Sequence, residues 1–227
     1  MLGMMTGKVA LVTGGSSGIG RATCLRFARQ GAKVVLAARW VNEGEQTAQM
    51  IRDAGGEALF VRADVSQATD VQALVSRCVE AYGGLDFACN NAGIEGTIKP
   101  LVDYSEANWD AIVDINLKGT WLCMRAEIPH MITGGGGAIV NVASVAGLIG
   151  FPGLGPYVAT KHGIIGLTKT AAMEHSQHNI RVNVVCPGLI DTAMADRFTG
   201  GPDTAVEQFI MSLYKTDAPA GFGSGSR

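Results

Sequence analysis

The stretch that decides the fold is KVALVTGGSSGIGRATCLRFARQG, residues 8–31. The apolar run at residues 8–13 predicts a strand covered on both faces. Residues 18–30 predict the helix that follows, closed by Gly31. Between them stands the loop Thr13-Gly14-Gly15-Ser16-Ser17-Gly18-Ile19-Gly20. Glycines in such a turn let the backbone approach a pyrophosphate, and the free N–H groups of the next helix attract its charge. The bland alternative is a tight strand-to-helix turn. The place of the loop, after the first strand of a βαβ unit, is what the dinucleotide reading requires. No Gly-Lys-[Ser/Thr] closes the loop, which argues against a P-loop NTPase.

Outward from this unit the same alternation repeats. Further strands are predicted at residues 33–38 (KVVLAA), 57–62 (EALFVR), 85–90 (LDFACN), 138–142 (AIVNV) and 181–186 (RVNVVC). Helical patterns fall between them at 41–54, after Ser66, at 105–131 and at 156–177. Val71, Leu74, Val75, Cys78, Val79 and Tyr82 share one helix face, and Ser66 is placed to cap that helix. On the long helix Trp109, Ile112, Val113, Leu117, Thr120 and Met124 form an apolar stripe. The expected fold is α/β: a single-domain, doubly wound parallel sheet in three layers, the Rossmann fold. After Pro187 the pattern weakens; residues 202–214 suggest one more helix. The domain is drawn at 1–214, with a flexible Gly/Ser-rich tail at 215–227.

Composition excludes several classes. Only 17% of the 227 residues are charged, against roughly 25% in ordinary globular chains, and 47% are hydrophobic, so the chain is not disordered. Basic and acidic residues, 18 and 20, are intermixed to a net charge of −2; no basic run points to nucleic acid. No apolar segment is long enough for a membrane span, and no signal peptide is read. The five cysteines are scattered and predict buried, reduced thiols in a cytoplasmic protein. The four histidines have no metal-ligand spacing, so no metal is expected.

Four further places carry chemistry. At the end of the second strand, where an acidic residue would hydrogen-bond an NAD ribose, stand Ala38 and then Arg39. Arg39 either pairs with the 2′-phosphate of NADP or is a solvated arginine. Tyr157 and Lys161 lie one helical turn apart on one face, so the ammonium is expected to lower the phenol's pKa toward a working acid–base; the alternative is a solvated pair. Ser144, just past the fifth strand, sits where open α/β sheets place their ligand crevice, or is a turn residue. Asn116 falls inside the apolar stripe, where its amide must be paired, either for function or with neighbouring backbone.

Taken together, Thr13–Gly20, the Asp64-Val65 pair, Asn90-Asn91-Ala92-Gly93, Asn116, Ser144, Tyr157 with Lys161, and Pro187-Gly188 followed by Thr192 resemble the short-chain dehydrogenase/reductase family. The resemblance runs from about residue 6 to 209 and implies hydride transfer between a nicotinamide cofactor, NADP(H) in preference to NAD(H), and a small ketone or secondary alcohol. Tyr157 would be the proton donor and Ser144 would hold the substrate oxygen. Lys161 would bind the nicotinamide ribose and tune Tyr157, and Asn116 would anchor a proton-relay water. Gly14, Ser16, Ser17, Gly18, Ile19 and Gly20 would line the cofactor's phosphates and ribose, and Asp64 and Val65 would meet the adenine. Asn91, Ala92 and Gly93 would form the floor under the adenosine ribose. Pro187, Gly188, Ile190 and Thr192 would complete the cofactor site, Thr192 reaching the carboxamide.

Residues 95–99, 145–154, 189–190 and 198–209 are mostly apolar and are expected to wall the substrate cleft. Ala159, Gly163 and Gly166 suit close packing between subunits, implying a homodimer or homotetramer. The chain departs from the family near its end: no segment after Cys186 suggests a seventh strand, leaving the sixth as a sheet edge. The alternative function is therefore a truncated, non-catalytic nucleotide-binding or interaction protein of the same fold.

Overall fold

Along the first strand, β1 (Val9–Thr13), successive side chains leave for opposite layers. Val9 and Leu11 join one core with Val35 and Ala37, while Ala10 and Val12 join a second with Val34 and Leu36. The remaining strands are β2 (Lys33–Ala38), β3 (Ala58–Arg62), β4 (Phe87–Asn90), β5 (Gly137–Val142) and β6 (Ile180–Val185). All pair in parallel in the order β3-β2-β1-β4-β5-β6. The computed structural model describes residues 3–199.

Helices cover both faces, as a buried parallel sheet demands. Cys24 of α1 (Gly18–Arg29) and Ala48 and Ile51 of α2 (Val41–Asp53) pack on one face. The other takes Val71, Leu74 and Val75 of α3 (Ala68–Tyr82), with Cys123 and Met131 from a later helix. Each fully buried Leu or Ile contributes roughly 1.5–3 kcal/mol. The order reverses at β1, so the crevice opens above the C-terminal ends of β1 and β4, where Thr13 and Asn90 are register partners.

Three expectations are corrected. Ser66 does not cap α3; the cap position is Gln67, without a side-chain bond, because Ser66 Oγ donates to Asp64 Oδ1 at 2.7 Å in a turn one step earlier. The long helix is not uniform: α4 (Glu106–Ile112), capped by Ser105 Oγ accepting from Asn108 N at 3.3 Å, runs into a π-helical segment, Val113–Lys118, and then α5 (Gly119–Thr133). A wider turn rotates the upstream residues relative to a regular helix. Trp109 accordingly leaves the stripe and is 40% exposed; Trp121 is 43% exposed, under the Arg125 guanidinium. Gly163 of α6 (Gly155–His175) is committed within the chain, since a Cβ there would meet Leu117 Cδ1 at 2.8 Å.

One polar knot interrupts the core. Asn90 Nδ2 donates to Glu127 Oε2 at 3.0 Å and to Asn141 Oδ1 at 3.1 Å, and Asn141 Nδ2 donates to Thr168 Oγ1 at 2.9 Å. Glu127 is fully buried, and burial raises its carboxyl to about 7.

Tertiary contacts divide the chain into two units, Met1–Pro187 and Gly188–Arg227. In the described part of the second, Thr192 Oγ1 accepts from Ala195 N at 3.2 Å at the start of α7 (Ala193–Thr199). Among the described residues no strand follows β6, which pairs with β5 alone. The helix expected at 202–214 and the tail at 215–227 lie outside the described residues.

Candidate active site

The glycine loop is shaped as a cradle. Gly14 has φ +67°, and a Cβ there would approach Asn91 Nδ2 to 2.8 Å; at Gly20 a Cβ would stand 2.1 Å from Gly14 O. Asn91 braces the loop by donating Nδ2 to Thr13 O (3.1 Å) and Gly14 O (3.3 Å), while Thr13 Oγ1 accepts from Asn91 N and Ala92 N. Arg21 ties the loop to α2, its guanidinium donating to Ser16 O and to Thr47 Oγ1. Ser17 stands at the N-cap of α1 without capping it, and the first turn holds no acidic residue. The free N–H groups of Gly18, Ile19 and Gly20 therefore face the crevice end, a fit for the pyrophosphate of a dinucleotide.

At the end of β2, Ala38 is 8% exposed and Arg39 is exposed, with no ion pair to any described residue. Asp64 accepts from Ser66 N at 3.0 Å, and Val65 leans on the start of α5, where a Cβ on Gly119 would meet Val65 Cγ2 at 2.8 Å. Pro187 O accepts from Val145 N at 2.8 Å, joining the end of the first unit to the loop after β5. Gly188, Ile190 and Thr192 belong to the second unit.

Tyr157, Lys161, Ser144 and Asn116 come together in the first unit. Tyr157 and Lys161 are 6% and 4% exposed. Lys161 Nζ donates to Val142 O at 2.9 Å and lies 5.4 Å from the Tyr157 ring centroid. Ser144 Oγ accepts from Ala146 N at 3.1 Å and also hydrogen-bonds the Tyr157 phenol. Thus Ser144 is both a turn residue and a partner of the phenol. Asn116 has no exposed surface: Oδ1 accepts from Ile94 N and Nδ2 donates to Ile94 O, both at 2.8 Å. Its Nδ2 also reaches Thr160 Oγ1 at 3.3 Å, and Thr160 Oγ1 donates to Tyr157 O at 2.8 Å. Of the two accounts of Asn116, the geometry displays the pairing with backbone. Gly93 closes the group, since a Cβ there would stand 3.2 Å from Asn116 Oδ1 and 3.7 Å from Lys161 Nζ.

The electrostatics differ from the sequence expectation. Burial raises the Tyr157 phenol above its ordinary 10, the Ser144 hydrogen bond opposes that, and the charge of Glu95 adds to it. Burial also lowers Lys161 to about 8. The expected lowering of the phenol by Lys161 is not met, because desolvation dominates and the ammonium gives its hydrogen bond to Val142 O.

Sequence reasoning missed Thr13, Thr160 and Arg21 as braces, and took Glu95 only as the start of a wall. The place of Thr13 at the strand end was the one available signal; the others depend on contacts remote in sequence. Among the described residues no group of His, Cys, Asp or Glu could hold a metal ion, and no helix is long and apolar enough to cross a membrane.

A doubly wound parallel sheet with a glycine cradle at its switch point, beside a Ser-Tyr-Lys group whose tyrosine and lysine are buried, defines a Rossmann-fold oxidoreductase. The chain belongs to the short-chain dehydrogenase family, whose model matches residues 8–201, and it is an oxidoreductase of the CH–OH/C=O class. It is 42% identical over 211 residues to a 2,5-dichloro-2,5-cyclohexadiene-1,4-diol dehydrogenase of Sphingobium indicum, covering 92% of this chain and 83% of that one. It is 41% identical over 191 residues to a cyclohexanol dehydrogenase of Acinetobacter sp., covering 84% and 76%. The crystal structure of carveol dehydrogenase from Mycobacterium avium in complex with NAD superposes with a TM-score of 0.85 at 32% identity, covering 88% and 81%.

Proposed function

We propose that this chain interconverts a cyclic secondary alcohol and its ketone with NADP(H) as the preferred cofactor and Tyr157 as the acid–base. The observation that carries the reading is the hydrogen bond of Ser144 to the buried Tyr157 phenol, with the Lys161 ammonium beside the ring. The nicotinamide supplies or accepts the hydride. Tyr157 donates its proton to the carbonyl oxygen in reduction and takes one from the alcohol in oxidation; a phenol held neutral by burial suits donation. Ser144 holds the same oxygen and stabilises the phenolate left behind. Lys161 binds the nicotinamide ribose hydroxyls and, below about pH 8, keeps a positive charge against that phenolate. Asn116 acts as a positioning residue by pinning Ile94 and Thr160.

Gly14, Ser16, Ser17, Gly18, Ile19 and Gly20 hold the pyrophosphate end, and Asp64, Val65, Asn91, Ala92 and Gly93 the adenosine. Pro187, Gly188, Ile190 and Thr192 hold the nicotinamide end. Arg39, without an ion pair among the described residues and next to Ala38, favours a 2′-phosphate, while NAD(H) remains a second substrate for the same cradle. The cyclic substrate class is supported by the names of the cyclohexanol and cyclohexadienediol dehydrogenases. A second copy of the chain packs against the exposed Ala159 and Gly166.

The test is a parallel titration with NADPH and NADH followed by nicotinamide fluorescence, then assay of cyclohexanol oxidation and cyclohexanone reduction. Tighter NADPH binding with turnover supports the reading. Binding without turnover of any alcohol or ketone would leave the non-catalytic nucleotide-binding alternative.

A further inference from the structure

Tyr157 is the third residue of α6, and a helix that delivers a reacting side chain from its first turn needs that turn fixed. The ordinary means are missing. Leu154 stands at the N-cap without a side-chain bond, and Pro156 brings no N–H to the first turn. The connection leading into the helix is permissive, since four of the eleven residues from 145 to 155 are glycine. Its far end is held. Ser144 Oγ accepts from Ala146 N, and a Cβ on Gly147 would stand 2.8 Å from Lys161 O. From Leu148 to Gly150 the chain is exposed.

The near end is fastened by a segment remote in sequence. The Tyr104 hydroxyl donates to Gly153 O at 2.7 Å and also reaches Thr97 O, so its one proton bridges two carbonyls. Lys99 N donates to the same Gly153 oxygen at 3.0 Å. Gly153 takes φ +81°, and a Cβ there would stand 2.8 Å from Ile98 Cγ2; one on Gly155 would stand 2.6 Å from Leu101 Cδ1. The residues on either side of the N-cap thus lie bare against the 97–104 segment. That segment is anchored at both ends. Asn116 holds Ile94 by N–H and C=O at 2.8 Å, and Ser105, next to Tyr104, caps α4. Asn116 also reaches Thr160, whose hydroxyl donates to Tyr157 O at 2.8 Å. A closed circuit of chain and hydrogen bonds therefore runs from Asn116 out to Tyr104, across to Gly153 and back along α6 through Tyr157.

We propose that Tyr104 is a positioning residue for the reaction: by bridging Gly153 to Thr97, its hydroxyl holds the uncapped start of α6 and so keeps the Tyr157 phenol on Ser144. This inference rests on the oxidoreductase reading of the Tyr157 site. Tyr104 exchanges no proton with the substrate. Burial holds its own phenol above the ordinary 10, so it stays a donor at neutral and mildly alkaline pH. One neutral hydrogen bond is a small part of a domain's stability, whereas a misplacement of about 1 Å costs about a hundredfold in rate. Loss of the hydroxyl is therefore expected to cost more in rate than in folding.

The experiment follows cyclohexanol oxidation against pH in the natural chain and in the Tyr104→Phe, Asp86→Ala and Tyr157→Phe variants. NADPH fluorescence titration and urea denaturation are run on each. Tyr104→Phe is expected to lower kcat by about tenfold or more with NADPH affinity unaltered. The groups acting on the Tyr157 phenol are Ser144, Glu95 and Lys161, and Ser144 is the one that opposes its rise with burial. A loosened Ser144 bond therefore moves the rising limb of oxidation to higher pH. Asp86→Ala is the control for a purely structural loss. It removes bonds to Lys8 Nζ and Val9 N, both 2.8 Å, at the opposite end of the sheet. Its urea midpoint is expected to fall while kcat and the pH profile stay as they were. A Tyr104→Phe chain with natural kcat and profile overturns this inference alone, provided Tyr157→Phe is inactive. So does one that changes only KM, one that no longer binds NADPH, or one whose kinetic changes Asp86→Ala reproduces. Full turnover by Tyr157→Phe, or none by the natural chain, overturns the reading of the site and the inference with it.

Discussion

Two polar clusters are buried close to the C-terminal ends of β4 and β5, one around Asn116 and one around Asn90, and they are satisfied differently. Around Asn116 the amide oxygen, both uses of the amide nitrogen and the Lys161 ammonium all have protein partners. Around Asn90 the donors are used up while two acceptors, Asn90 Oδ1 and Glu127 Oε1, have none. The first cluster is built on backbone groups of a neighbouring loop, which come as a matched donor and acceptor. The second is built from side chains on β4, β5, α5 and α6, and two of its acceptors are left without a donor. The thiols around Glu127, namely Cys78 on α3, Cys89 on β4 and Cys123 on α5, are raised by burial and its charge and supply no ready proton. A proton on Glu127 itself provides the missing donor and removes the buried charge. The cluster around Asn116 is thus closed, whereas the one behind it leaves two acceptors that a proton can serve.

The comparison can be broken most visibly at the chemical end of the Asn116 cluster. Tyr157→Phe removes the proposed proton donor and leaves the clamp intact, so kcat is expected to fall by about two to four decades. NADPH affinity by fluorescence titration should change little; retained turnover would mean that another group donates the proton. Next, Asn116→Ala opens the clamp. Leaving the Ile94 N–H and C=O without partners should reduce the unfolding free energy by about 2–4 kcal/mol, read from urea denaturation. A loss below about 1 kcal/mol would show that water replaces the amide.

The Asn90 cluster is sharpened by pH. With the Glu127 carboxyl raised to about 7 in the folded chain and near its ordinary 4.5 when unfolded, the folded state keeps a proton that the unfolded state has lost between those values. The contribution to stability is complete below about pH 4.5, declines as pH rises and is gone above about 7, amounting to on the order of 3 kcal/mol. Glu127→Gln, neutral at every pH and carrying its own donors, should abolish this dependence and be the more stable chain at pH 8. Parallel denaturation curves for the two chains at pH 5 and 8 check it, and an equal pH response in both would show that Glu127 is not the titrating group. The smallest effect lies outside both clusters: Arg39→Ala should weaken NADPH by about 1–3 kcal/mol and leave NADH unaltered. An equal loss for both would mean that Arg39 does not read the phosphate.

Much of the architecture was legible locally. The apolar runs at residues 33–38 and 57–62 place strands within a residue of those observed, because a strand buried on both faces has to be apolar throughout. Ser105 was legible as a helix start because its hydroxyl satisfies an N–H only three residues away. The π-helical segment was not, since one wider turn changes the phase of a periodic pattern without changing its composition. For that reason Trp109 was counted into a stripe that it does not join.

By itself, the sequence determined the alternation of strands and helices, the parallel sheet with its crevice, the cradle at Thr13–Gly20 and the spacing of Tyr157 and Lys161. Each of these is written in neighbouring residues, through periodicity, glycine and the rise of a helical turn. Only the tertiary structure decided that Asn116 clamps Ile94 from 22 positions away, that Glu127 meets Asn90 across 37, and that Glu95 is buried while the apolar residues after it are not. Burial and hydrogen-bond pairing depend on which surfaces meet after the chain has closed, and the same side chains in open chain would show neither.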